Sequence, residues 1–282
     1  DPGDIKLKYP CVSDMVDELS SYFAVMGGQP EHLCIVGLFD VIPFGTNKYW
    51  GGGTESSVND GDISNVDDDV WLELATGRVF GENMSFGTLL AARSLTYDDL
   101  VSPEWADKSL LMGGGSLHFT RFVGKYLENV GFQPAHVIDR EFGHENLPYM
   151  QNRSAIAHSW HSTEVSWGWG PNYFIEDLSK PNLDNIFLAP CVAGSGGCTV
   201  AGIDIDHRSW DRIIAPKFLR RGAIAYIGST RPATGVYSIL STEFWNALTA
   251  GKTLGQAWKQ AQNSQLYLSL VGMGSRDDGN IF

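Results

Sequence analysis

Basic charge is what this chain of 282 residues is short of: 20 lysines and arginines face 33 aspartates and glutamates, a net charge of -13. That deficit argues against nucleic acid or an anionic membrane as a partner, because either requires a positive face. It leaves a well-solvated acidic surface that suits a cationic substrate. No apolar run approaches the roughly 20 residues that span a bilayer, so no membrane span is expected. Cysteine is scarce too. Cys11, Cys34, Cys191 and Cys198 include no CxxC and no paired Cys/His spacing, which excludes a zinc framework and a dense disulfide scaffold and leaves the compartment open. The pieces "GGGT" and "MGGGS" lack both the Walker lysine and the GxGxxG spacing, and read as turns. There is no internal repeat, no low-complexity linker and no leader of the charged-apolar-small kind. The start at Asp1, without methionine, reads as a fragment or a processed form.

What is present is a core. Hydrophobic residues make up 43% of the chain, enough for one large α/β domain over 1–282, with subdomains at 1–105 and 106–282 as an alternative division. Val12, Met15, Val16, Leu19 and Phe23 recur at helical spacing, and Gly27 and Gly28 close that helix. Leu33 to Val36 is a short continuous apolar run bounded by Gly37, the pattern of a parallel strand covered on both faces. The stretch 45–69 is a long loop rich in Gly, Ser, Asn and Asp. Strands are expected at "DVWLELATGRVFG", "SLLMGGG", "AHVID" and "AIAYIG". Helices are expected over 89–95, 119–130, 213–219, 244–248 and 254–266. Strands alternating with helices predict a doubly wound, mostly parallel sheet with helices on both faces, an α/β/α sandwich.

Two apolar runs end in reactive residues. "SAIAHSWHSTEVSWGWG" carries His161, and "NIFLAPCVAGSGGC" places Cys191 at the end of its run. Side chains at the carboxyl ends of neighbouring parallel strands converge on one crevice, so a base and a thiol would meet there. A thiolate is the nucleophile, and a neighbouring imidazole both lowers the thiol pKa and returns a proton to a leaving amine. The small residues from Val192 to Gly197 would leave N–H groups for an oxyanion. The blander reading is a buried structural thiol and a satisfied core histidine. His158 is a second candidate base. Cys198, seven residues after Cys191, is a candidate disulfide partner for it, a state that would remove the nucleophile.

Asp60, Asp62, Asp67, Asp68 and Asp69 crowd into ten positions, which suits a solvated face, a calcium site or a pocket for a basic side chain. Calcium takes six to eight oxygens, of which Asp67 and Asp69 with Asn59, Ser64 and Asn65 supply several, although the spacing matches no EF-hand. Nine tryptophans are enough to wall a groove.

These motifs together resemble the gingipain-like cysteine peptidases. "HSTEVSWG" is similar to that family's catalytic histidine segment, in which a tryptophan stands six positions on, as Trp167 does after His161. "APCVAG" resembles its catalytic cysteine segment. "CIVGLFDVIP", "LATGRVFG" and "GAIAYIGSTR" match in order, so the likeness covers nearly the whole chain. It implies a caspase-like fold, a Cys191/His161 dyad with His161 preferred to His158, and an oxyanion hole built from Cys191 and Ser162. It also implies a protein or peptide substrate, no required redox or nucleotide cofactor, and an extracellular or cell-surface setting. In the family an aspartate after the Ile-Pro strand recognises Arg or Lys at P1; by position Asp60 or Asp62 takes that role here, with Tyr237 and Trp167 as aromatic walls. The chain departs from the family beside the histidine, where Trp160 and Ser162 replace glycines. That departure favours the competing expectation, a catalytically inactive homologue acting as a binding or scaffold module.

Overall fold

The computed structural model describes residues 12–38, 42, 44–46, 58–67, 69, 71–113, 117–138, 144–159, 161–167, 183–203, 212–230, 237–270 and 279–281. The chain opens with helix α1 (Val12–Met26), then strands β1 (His32–Val36), β2 (Gly45–Thr46) and β3 (Val58–Asn59), the short helix α2 (Gly61–Ser64) and β4 (Ala75–Val79). Helix α3 (Met84–Leu95) follows, its first turn capped by Asn83, whose side chain accepts from the N–H of Phe86. Helix α4 (Tyr97–Leu100), β5 (Ser109–Met112), α5 (Leu117–Asn129) and β6 (His136–Ile138) come next. A 3-10 turn over His144–Met150 leads to β7 (Ala155–His158) and the hairpin β8 (Ser162–Thr163) and β9 (Ser166–Trp167). The rest is β10 (Val192–Ser195), α6 (Ile214–Arg221), β11 (Ala225–Ser229), α7 (Tyr237–Thr249), α8 (Leu254–Leu270) and β12 (Gly279–Ile281).

The main sheet has six strands in the order β12-β11-β10-β7-β5-β6, parallel throughout except for β12. Strands β1 and β4 pair separately and in parallel. Alternation along the strands sorts the core into two layers. Leu110, Met112, Ile156, Ala193 and Tyr226 face one side, against α3, α6 and Trp167. Leu111, Ala155, Ala157, Val192 and Ile227 face the other, against the apolar sides of α5, α7 and α8. The architecture is the expected α/β/α sandwich.

The central strand β10 departs from the sequence reading. It starts after Cys191, whereas the apolar run "NIFLAPC" had been expected to be the strand. Pro190 has no N–H for a ladder, and the residues before it run irregularly, with the Leu188 N–H donating to Arg221 O at 2.8 Å. The true strand, Val-Ala-Gly-Ser, is made of small residues and is buried along its whole length, with the ring of Trp245 3.9 Å from where a Cβ on Gly194 would stand.

Candidate active site

Strands β7 and β10 run in register to a common carboxyl end, with Ser195 opposite His158. Beyond it the Gly196 N–H donates to His158 O at 2.7 Å, and the chain turns through Cys198 to Ala201. Thr199 takes a left-handed φ of 52°, a conformation that a β-branched residue adopts only at a cost of about 1 kcal/mol or more. The turn is tied down on both sides: the Ala201 N–H donates to Ser229 O and the Gly202 N–H to Thr199 O, each at 2.9 Å. Cys198 is half-buried.

The β8–β9 hairpin lies against this turn. The Ser162 hydroxyl donates to Cys198 O at 3.2 Å, and the Thr199 hydroxyl to Glu164 Oε2 at 3.4 Å. From the other side Glu164 O accepts from the Ile214 N–H, at the start of α6. His161, immediately before the hairpin, is exposed. The structure therefore brings together the His161 segment and Cys198.

Cys191 is elsewhere, and the expected pairing of His161 with Cys191 is overturned by the register of β10. Val192 pairs with Ala155, at the amino end of β7. Four residues of rise at about 3.3 Å each put Cys191 roughly 13 Å along the strand from Ser195. The residue is wholly buried in the core, and burial pushes its thiol up to about 12, with the Arg93 guanidinium pulling the other way. Arg93 itself is fixed on Leu219 O and Ala223 O. A thiol held neutral in this way is a small apolar side chain and not a nucleophile. The oxyanion role expected of Cys191 falls with it, because the residue is wholly buried at the amino end of β10; of the N–H groups that follow, Val192 donates to Ser154 O, Gly196 to His158 O and Gly197 to Ser195 Oγ. Neither Cys191 nor Cys198 is in a disulfide, so the structure does not show the alternative pairing between them. A sign of where β10 starts was in the sequence, since Pro190 lacks the N–H that a central strand's ladder needs.

Under the carboxyl end lies His158, only 2% exposed. Its ring stacks on Trp167 at 4.4 Å and 2°, and its Nδ1 hydrogen-bonds the Ser195 hydroxyl at 2.9 Å. Burial lowers its pKa to about 3, so it is neutral at any working pH. Trp167, expected as a substrate wall, is 0% exposed and packs on His158 and Phe218. The six-residue spacing from His161 to Trp167 reports the hairpin's anchor.

The acidic loop also differs from expectation. Asp60 is 3% exposed and its two carboxylate oxygens accept from Nε and Nη2 of the buried Arg78. Arg78 also donates to Gly37 O and Ile42 O and lies over the Phe44 ring. This carboxylate is neutralised inside the fold, which removes Asp60 as a receptor for a basic P1 side chain. Asp62 is half-buried in α2. Asp67, Asp69 and Glu73 bring carboxylate oxygens within 4.8 Å of one another. Asp67 and Asp69 accept from the N–H groups of Asp69 and Trp71, and Glu73 from that of Val66. Burial and the two neighbouring aspartates raise the Glu73 pKa. The Tyr237 backbone opens α7, but its side chain lies outside the described residues, as do Trp160 and Asp68.

A parallel α/β sheet with a histidine loop and a cysteine turn at its carboxyl end defines a caspase-like cysteine peptidase fold. Two solved structures share it. One, described as "Structure of Protease", aligns with a TM-score of 0.72 and 17% identity over 96% of this chain and 67% of its own. The other, the Arg-specific cysteine proteinase gingipain R, aligns with a TM-score of 0.76 and 15% identity over 96% of this chain and 66% of its own. The chain thus spans about two thirds of the length of each. No curated protein sequence matches it significantly. The family model described as "Peptidase family C25" matches residues 11–279. The chain belongs to peptidase family C25, whose members act on proteins.

Proposed function

We propose that this chain hydrolyses peptide bonds as a cysteine endopeptidase, with Cys198 as nucleophile and His161 as acid and base. The observation that carries the reading is the 3.2 Å hydrogen bond from the Ser162 hydroxyl to Cys198 O, which joins the residue next to His161 to the cysteine at the carboxyl end of β10. The Cys198 thiolate attacks the scissile carbonyl carbon, and the oxyanion forms against the main-chain N–H groups of Ser162 and Cys198. Collapse of the tetrahedral intermediate breaks the C–N bond, and the His161 imidazolium protonates the leaving amine. Water, deprotonated by His161, then hydrolyses the thioester and frees the thiol.

A peptidyl acyloxymethyl ketone tests the assignment. Wild type and Cys191→Ala are expected to be labelled alike, and Cys198→Ala not at all. Labelling that survives in Cys198→Ala and disappears in Cys191→Ala would reverse the assignment. Absence of labelling and hydrolysis in wild type would favour the inactive binding module.

A preference for Arg or Lys at P1 rests on the remaining sequence candidate, Asp62. In a P1 library of fluorogenic substrates, Asp60→Asn is expected to leave the ranking unchanged while costing about 3 kcal/mol or more of stability, because it strands a buried guanidinium. Asp62→Asn is expected to reduce turnover of Arg and Lys substrates selectively. A uniform profile in wild type would dismiss the preference and leave the dyad untouched.

A further inference from the structure

His158 belongs to neither partner of the proposed dyad, yet it touches the support of both. On one side its Nδ1 holds the Ser195 hydroxyl at 2.9 Å, and Ser195 Oγ accepts from the Gly197 N–H at 3.3 Å, one residue before Cys198. On the other its ring lies flat on Trp167 at 4.4 Å. Trp167 is the cross-strand partner of Ser162, which follows His161 and donates to Cys198 O. The contacts close a ring: His158, Ser195, Gly197, Cys198, Ser162, Trp167 and back to His158. Each link is a hydrogen bond, a covalent neighbour, a strand pair or a face-to-face stack. His158, Ser195, Ser162 and Trp167 stand at strand ends, where a buried, hydrogen-bonded polar group specifies one arrangement.

We propose that His158 is the positioning residue of the active site, a neutral bracket that fixes the Cys198 turn relative to the His161 hairpin. This inference rests on the Cys198/His161 reading. A histidine suits the place because one flat ring supplies both a stacking face and a nitrogen in its plane. Phenylalanine would keep the stack and lose the bond; alanine at Ser195 would remove the same bond from the other end.

The experiment compares His158→Phe, Ser195→Ala and the double variant with wild type. The active sites are first titrated with the acyloxymethyl ketone, so that misfolded protein is not counted. Each single variant is expected to lower kcat per titrated site about 10- to 100-fold with KM within about threefold, since a misplacement near 1 Å costs on that order. The double variant is expected to be no worse than the poorer single one, because both remove one bond. The rate of Cys198 carboxymethylation, followed on its peptide by mass spectrometry, is expected to fall in parallel. A lower Tm with kcat per titrated site unchanged would make His158 structural only and overturn the proposal. Should His158→Phe fail to fold, Ser195→Ala alone carries the same two outcomes. Hydrolysis persisting in Cys198→Ala would instead sink the underlying dyad, a different result from a dead Cys198→Ala beside an unaltered His158→Phe.

Discussion

A cysteine flanks β10 on either side, and the same side chain meets opposite surroundings at each. At the amino end Cys191 is enclosed by the core, its thiol kept protonated by burial. At the carboxyl end Cys198 sits in a half-buried turn braced by Ser162 and followed by a residue with left-handed φ. Of the two, only Cys198 is part-exposed. In a parallel sheet, strand polarity decides which end of an apolar run is chemically available, so direction along the strand carries as much information as residue type.

The largest effect that sharpens this contrast is substitution of each cysteine. Cys198→Ala is expected to lower kcat/KM at least about a thousandfold. Cys191→Ala should stay within about twofold in kcat/KM and lose roughly 1–2 kcal/mol in urea unfolding. Equal losses of activity in the two would erase the distinction.

Acidity probes the two ends next. His158 has an ordinary pKa of 6.5 that burial lowers to about 3, so between those values the unfolded chain binds the extra proton. Stability contributed by this group is present above pH 6.5 and lost as pH falls toward 3, on the order of 5 kcal/mol over the whole window. Cys191 acts in the alkaline range: its pKa rises from 9.0 to about 12, so its contribution is present below pH 9 and lost as pH climbs to 12. Urea midpoints measured from pH 4 to 8 should drift less in His158→Phe than in wild type. Those measured above pH 9 should drift less in Cys191→Ala.

Two glycines give a smaller and more local contrast. Gly222, near the amino end of β10, has φ of 142°, and a Cβ there would stand 2.1 Å from Leu188 O. Gly222→Ala is therefore expected to cost about 3 kcal/mol of stability with kcat per titrated site retained. At Gly228, beside the cysteine turn, a Cβ would meet Val200 Cγ2 at 2.6 Å and Tyr226 Cε1 at 2.9 Å. Gly228→Ala pushes on the segment after Cys198 and is expected to lower kcat about tenfold at a smaller cost in Tm.

The smallest effect belongs to the acidic loop. Its three clustered carboxylates fit calcium only in part, since the ion takes six to eight oxygens and these groups already accept from the N–H groups of Asp69, Trp71 and Val66. Millimolar calcium is expected to raise Tm by about 1 °C or less in a thermal melt.

Much of the sandwich was legible because its elements bury one face each. The spacing from Val12 to Phe23 foretold α1, and the run Leu33 to Val36 foretold the parallel strand β1, although that strand is covered on one face only, with Cys34 and Val36 exposed on the other. The strand that leads to Cys198 was not legible from hydrophobicity. Val192 to Ser195 is a run of small residues buried between the two core layers, with Val192 on one side and Ala193 on the other, a burial set by distant residues. Asp60 misled for a related reason: its partner Arg78 lies 18 positions on, and no local pattern announces a long-range ion pair. His161 was singled out through Trp167, whose place in the fold is to stack on His158.

That stack bears on how such sequences are recognised. A pattern keyed to a histidine with tryptophan six positions on selects for the hairpin's foundation, which is apolar contact and backbone pairing. The reacting thiol is no part of it. A lineage that exchanged Cys198 for another small residue would keep the foundation, keep the fold and still carry the signature, so scaffold and chemistry in this architecture can part company.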